Sequence, residues 1–329
     1  MLRILLIPLR FVRFLGAAFS AYNAERSQRM RYVARVARVM MRLFRITPLA
    51  EEERLLSLFE GIAGQTSPET IPGIRRMLDM LENDGMARRF LVGHEFTDQR
   101  PFFFNPRRLG EDQLEYLIDR IITHDSYALN RIETPNPVIV DGGAHIGVFS
   151  RFVFQKFPDA RLYALEPDRE NFDLLRINLC EHDAAVIRQN GILDGNETLD
   201  FYVSNEIDWR SSLNTDTDFI NRYTSSSGEY EKSYMVHTTS IDDLLENEKP
   251  ERLDLLKLVV PGEIELRVLD GASNTIKKYK PQVVVTVYKD NEAKVEAFFE
   301  ELDYQEIPSP WRPPTDAVMV AMNRLYIPK

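Results

Sequence analysis

VIVDGGAHIGVFS, running from Val138 to Ser150, is the stretch on which the reading of this chain turns. Three apolar residues, Val138, Ile139 and Val140, end in Asp141; Gly142, Gly143, Ala144 and Gly147 follow, and VFSRFVFQKF then resumes with helical spacing. A short apolar run bounded by glycines is a buried strand, so the order is strand, tight small-residue turn, helix. Glycine lets the backbone approach a ligand closely, and the first N–H groups of a helix have no intrahelical partner. The stretch reads as a nucleotide-type pocket.

The spacing narrows the ligand. A dinucleotide fingerprint needs G-x-G-x-x-G. Its second glycine is replaced here by Ala144, counting from Gly142, or by His145, counting from Gly143. The pattern present is D-x-G-A-x-x-G, with a carboxylate at the strand tip that suits a cofactor carrying an ammonium group. S-adenosyl-L-methionine meets that demand. Downstream, RLYALEPD reads as a second strand ending in Glu166, twenty-five residues after Asp141. An acid in that place grips ribose hydroxyls in doubly wound folds.

The segment from Val138 to Leu179 resembles the opening half of an FkbM-type methyltransferase domain, a class I S-adenosylmethionine-dependent family with many O-methylating members. The residues carrying the resemblance are Asp141, Gly143, Ala144, Gly147, Ser150, Pro158, Glu166, Pro167, Asn171, Leu174 and Asn178. HTTSIDDLL (237–245) and LDLLKLVVPGEIELRVLDGA (253–272) extend it. The resemblance implies that Asp141, Gly143, Ala144 and Gly147 hold the methionine end of the cofactor. It places Glu166 on the ribose, and Asn190 with Gly191 on the adenine side. His145, in the glycine loop, is read as touching the cofactor, acting as a base, or making a helix-start hydrogen bond. The family's fourth strand carries K-x-D-x-E-G followed by E-L-x-x-L. Here Lys257 and Gly262 match, Val259 and Pro261 replace the acids, and one extra residue precedes Glu265. Lys257 and Glu265 join His145 as the catalytic candidates, with Glu263 and Tyr288 nearby.

Strands alternate with helices from VIVD to the C-terminus, which implies a mostly parallel sheet with helices on both faces. The expected fold is α/β, a Rossmann-like class I methyltransferase sheet. DAVMVAMN supplies the antiparallel strand at its edge, and ETLDFYVS with KSYMVHTT forms a hairpin. Ser240 is placed to cap the helix IDDLLENE, with Asp242 and Asp243 in its first turn.

Upstream the pattern changes. Residues 1–49 hold ten arginines against one acid, Glu25, a charge of +9 within a chain of net −10, which leaves −19 on the remainder. Arg31, Arg35, Arg38, Arg42 and Arg45 share one arc of a helix, with Val33, Val36, Met40, Leu43 and Phe44 opposite. This basic amphipathic arm is too interrupted for a membrane span, and its apolar core ILLIPL is too short for a signal peptide. Two readings remain: the arm lies on an anionic membrane surface, or it packs on the acidic body or a partner helix. Residues 50–134 read as a helical accessory region with a capping box from Thr66 to Glu69. HEFTDQRPFFFNPRRL interrupts it as a loop in which Phe102, Phe103 and Phe104 line an acceptor pocket or pack in a core. Residues 135–329 form the methyltransferase-like domain.

The single cysteine, Cys180, forms no internal disulfide, which favours a cytoplasmic setting, with membrane association through the arm. Five histidines without a pair at ligand spacing argue against a metal site, and the acidic catalytic part argues against nucleic acid. The expected activity is O-methylation of a hydroxyl on a sugar, glycan or small natural product. The alternative is a cofactor-binding scaffold or sensor without catalysis.

Overall fold

A computed structural model describes residues 92–95, 101–105, 108–204, 230–260, 264–311 and 321–329. The arm, the capping box, Pro261, Gly262 and Glu263 lie outside the described residues. The chain divides into two compact units: the smaller ends at Gly110 and takes in Arg176–Asp183, and the larger holds Glu111–Leu175 and Ala184–Lys329.

In the smaller unit the segment read as a loop is a two-stranded antiparallel ribbon, β1 (Val92–Glu95) and β2 (Pro101–Phe104), with Gly93 opposite Phe103. Phe102, Phe103 and Phe104 are at most 1% exposed, so they are core and do not line an open pocket. Proline at the start of β2 had suggested a loop, yet a first strand residue tolerates it. Asn178 completes the ribbon as a surrogate strand: its Oδ1 accepts the Phe103 N–H at 2.7 Å and its Nδ2 donates to the Phe103 carbonyl at 2.9 Å.

The larger unit begins with α1 (Glu111–Ile118), which passes into a π-helical turn over Asp119–Thr123, followed by a 3-10 turn at Leu129–Arg131. The strand–turn–helix read from the sequence is present as β3 (Val138–Gly142) and α2 (Val148–Lys156). Then come β4 (Arg161–Leu165), α3 (Arg169–Asn178), whose residues from Arg176 onward belong to the smaller unit, β5 (Ala185–Arg188) and β6 (Gly191–Ile192). The hairpin is β7 (Thr198–Ser204) with β8 (Tyr230–Thr239). α4 (Ile241–Glu248) and β9 (Leu255–Leu258) follow, and the helix expected next is split into α5 (Glu265–Asp270) and α6 (Ser273–Tyr279). The split falls at Gly271, where a Cβ would lie 2.2 Å from the Leu193 carbonyl oxygen. β10 (Gln282–Tyr288), α7 (Glu292–Glu301), β11 (Tyr304–Ile307) and β12 (Ala321–Pro328) end the chain.

Seven strands form one sheet in the order β11-β12-β10-β9-β3-β4-β5, and β6-β8-β7 form a second, smaller one. β10, β9, β3, β4 and β5 run parallel. β12 is antiparallel and lies between β10 and β11, which takes the edge; it shares only Ala321–Asn323 with the stretch read as the edge strand, whose other residues lie outside the described ones. Strand residues alternate between faces. Val138, Val140, Leu256, Leu258, Val283, Val285 and Val287 pack on one face with Leu244, Val268, Ile276 and Phe299. Phe299 stacks on Tyr326 with ring centroids 3.8 Å apart, tying α7 to β12. Each such buried side chain contributes about 1.5–3 kcal/mol through lost contact with water. Ser240 caps α4 by accepting the Asp243 N–H at 3.0 Å. No described helix is long and apolar enough to cross a membrane.

The strand order reverses between β3 and its two neighbours, β4 on one side and β9 on the other. Ligands of open α/β sheets bind outside the carboxyl ends of the strands at such a point. The residues at the ends of β3, β4 and β9 are therefore the candidate site.

Candidate functional site

Parallel register sets Asp141 directly beside Lys257 across β3 and β9. Both are almost fully buried, and Lys257 Nζ donates to Asp141 Oδ1 at 2.6 Å. The other Asp141 oxygen accepts from Ser150 Oγ, in the first turn of α2, at 2.5 Å. Lys257 Nζ also reaches the carbonyl oxygens of Gly142 at 3.2 Å and Gly143 at 3.0 Å. The ammonium lies 5.4 Å from the ring centroid of Tyr127 and 5.7 Å from that of Phe149. An ammonium has three donors, and three acceptors surround this one.

Beyond Gly142 the loop doubles back toward β4. Gly143 and Ala144 both donate their N–H groups to the Leu165 carbonyl, at 3.0 and 2.9 Å. Gly143 takes φ +72°, and a Cβ there would stand 2.1 Å from the Val259 carbonyl oxygen, so no other residue fits. His145 also has a left-handed φ, of 55°, and Gly147 starts α2 at φ 94°. Glu166, 5% exposed, sits beneath this crown: its Oε2 accepts the His145 N–H at 2.8 Å and its Oε1 accepts the Asp168 N–H at 3.0 Å. Burial pushes the Glu166 carboxyl up to about 7, against the opposing pull of His145. Asp168 in turn caps α3, accepting from Glu170 N at 2.8 Å and Asn171 N at 2.9 Å.

The remaining candidates are placed less centrally. Asn190 lies between β5 and β6 and donates from Nδ2 to the His237 carbonyl at 3.2 Å; Gly191 is buried and opens β6, opposite Thr238. β5 ends at Arg188, two residues before the pair read as its tip. Glu265 is 1% exposed and its Oε1 accepts the Tyr288 N–H at 3.0 Å and Asn291 Nδ2 at 3.1 Å, which anchors the end of β10. Val259 donates its N–H to Gly142 O at 3.1 Å and presents an aliphatic side chain at the end of β9. Asp141, Gly143, Ala144, His145, Glu166 and Lys257 are thus brought together; Glu265, Asn190 and Gly191 belong to neighbouring junctions.

Three residues without a role in the sequence reading take part: Ser150, Tyr127 and Asp168. Asp168 had a legible signal, a short acid one residue before a helical pattern. Ser150 was among the residues carrying the family resemblance, without an assigned role, and Tyr127 is recognisable only by what it touches. No group of three or more His, Cys, Asp or Glu side chains among the described residues is placed to hold a metal ion.

Residues 141–306 match the model of the methyltransferase FkbM domain. The chain is 29% identical over 167 residues to 2-O-methyltransferase NoeI of Sinorhizobium fredii, covering 49% of this chain and 67% of that protein. It is 25% identical over 241 residues to methyltransferase sdnD of Sordaria araneosa, covering 66% of this chain and 92% of that protein. Among solved structures, TYW2 of M. jannaschii in complex with AdoMet aligns with TM-score 0.36 and 14% identity, over 72% of this chain and 84% of that one.

Proposed function

Because the chain belongs to the FkbM methyltransferase family, we propose that it is an O-methyltransferase acting on a hydroxyl of a sugar, glycan or small natural product. Its cofactor is S-adenosyl-L-methionine, whose sulfonium supplies an electrophilic methyl group. The residues present suit that cofactor. Glu166 has about four acceptor directions and spends two on backbone N–H groups, which leaves capacity for a vicinal diol. In this reading Glu166 holds the ribose, the loop from Gly143 to Gly147 the methionine end, and Asn190 with Gly191 the adenine side; Asp141, read from the sequence as a further contact to the methionine end, is fully buried beneath the loop and bonded to Lys257 and Ser150. The observation that carries it is the closure of the glycine loop onto Glu166 through His145, which forms one continuous cradle from β3 to β4.

The O-methyl assignment leans on the relative named a 2-O-methyltransferase. Alignment of an acceptor with the methyl group can supply much of the rate without a strong base. A second reading has its own support: Val259 and Pro261 stand where the family carries acids, so the chain serves as a cofactor-binding scaffold. Incubation with methyl-labelled cofactor and a panel of hydroxylated acceptors separates the two. Label in a methyl ether of the acceptor, lost in Glu166→Ala, supports the transferase. Cofactor binding with no transfer, and transfer gained by Val259→Asp with Pro261→Glu, establishes the scaffold.

The +9 charge of residues 1–49 supports docking of the arm on an anionic membrane or a partner helix. Salt-sensitive flotation with anionic vesicles favours the membrane; an oligomer lost on deleting the arm favours the helix.

A further inference from the structure

We propose that Lys257 is a positioning residue that clamps the cofactor loop, acting through backbone carbonyls rather than as a proton acceptor. The proposal rests on the cofactor reading of the glycine loop given above.

The loop turns at Gly143, and both sides of the turn are bonded. On the N–H side, Gly143 and Ala144 donate to the Leu165 carbonyl. On the carbonyl side, Gly142 and Gly143 accept from Lys257 Nζ at 3.2 and 3.0 Å. Two anchors on opposite edges of the same peptides set their tilt, and that tilt directs every later N–H of the loop, including the one His145 gives to Glu166. Lys257 is suited to the task by its address. It is fixed in β9 by register with Asp141 on one side and Val284 on the other, so the clamp is mounted on the sheet rather than on a loop.

The same ammonium balances Asp141, which is 0% exposed and has Ser150 Oγ as its other close partner. The Tyr127 and Phe149 rings border the ammonium at 5.4 and 5.7 Å, within cation–π range. Proton transfer would require Lys257 to give up a bond to a carboxylate 2.6 Å away inside this enclosure. Its chemistry is therefore static, and Asp141 serves the loop from beneath through it.

Two functions of Lys257, charge balance and clamping, come apart in a double variant. Full-length wild type, Lys257→Met and Lys257→Met with Asp141→Asn are compared by calorimetric titration with S-adenosyl-L-homocysteine. Hydrogen–deuterium exchange is measured on the same proteins without ligand. Lys257→Met is expected to speed exchange across residues 141–150 while the amides of residues 162–165 stay protected. The double variant removes the unpaired buried carboxylate and recovers melting temperature. Its affinity stays weaker by about tenfold or more, the worth of one charge-assisted contact. Recovery of both wild-type affinity and loop protection in the double variant overturns the clamp, since Lys257 then only balances Asp141. Unchanged loop exchange in both variants overturns it too. A wild type that fails to bind the ligand, with loop protection still dependent on Lys257, sinks the cofactor reading and leaves the clamp standing.

Discussion

The carboxylate of Glu166 accepts the backbone N–H of His145 at 2.8 Å, so the acid that ends β4 also holds the crown of the loop that follows β3. Two segments 21 residues apart in sequence are joined by this one side chain. The carboxylate pays for this position by being buried.

Burial raises Glu166 from 4.5 to about 7 in the folded protein. Below pH 4.5 the folded and unfolded states are both protonated. Between about 4.5 and 7 the unfolded chain releases the proton while the native state retains it, so stability falls as pH rises through this window and is flat above it. The loss totals about 3 kcal/mol, and Glu166→Gln is expected to abolish it. Urea unfolding of both proteins from pH 4.5 to 8 checks this; parallel profiles refute it.

Cofactor affinity should move the other way. An ionised carboxylate accepts hydroxyl hydrogen bonds more strongly than a protonated one, so binding of S-adenosyl-L-homocysteine tightens as pH rises from 6 to 8, by about tenfold. His145 and Asp168 are the charged or titratable groups facing Glu166. A His145→Gln protein that keeps the slope and a Glu166→Gln protein that loses it would assign the effect to the carboxylate. The reverse pattern assigns it to the imidazole.

Gly143→Ala and Gly195→Ala form a matched pair. A Cβ at Gly143 meets the Val259 carbonyl oxygen at 2.1 Å, whereas at Gly195 nothing lies within 4 Å. The first substitution is expected to cost about 2–4 kcal/mol and to abolish cofactor binding, and the second to be neutral within about 0.5 kcal/mol. Thermal melts and titrations report both. A Gly143→Ala protein of wild-type stability would mean that β9 can yield.

Asn178→Leu tests the smaller unit. It deprives the buried Phe103 N–H and carbonyl of their partner, at a cost of about 2–4 kcal/mol. Proteolysis should then cut near residues 101–104 at lower denaturant than in wild type; an unchanged cleavage threshold would show that Asn178 adds little.

Local pattern decided much of this protein. The run from Val138 to Ser150 determined β3, its turn and α2, because an apolar run, glycines and a helical repeat succeed one another within thirteen residues. Glu166 was legible as an acid ending the next strand, and Ser240 as a cap, since each is identified by near neighbours. The parallel sheet followed from the alternation of short apolar runs with helical segments. Register and burial were decided only by the tertiary structure. Lys257 meets Asp141 across 116 residues of sequence, a pairing set by which residue of β9 lies beside which residue of β3. That contact gives Lys257, read from the sequence as a catalytic candidate, bonds to one carboxylate and two backbone carbonyls. Phe102 to Phe104 read as a loop because Pro101 and polar neighbours dominate their surroundings, and became a buried strand because Asn178 and β1 satisfy their backbone. β12 settled between β10 and β11 because its two sides both find partners, a fact about three strands at once. Spacing along the chain carries no information about which distant backbone or carboxylate will stand opposite, and burial of polar groups makes that choice of partner decisive.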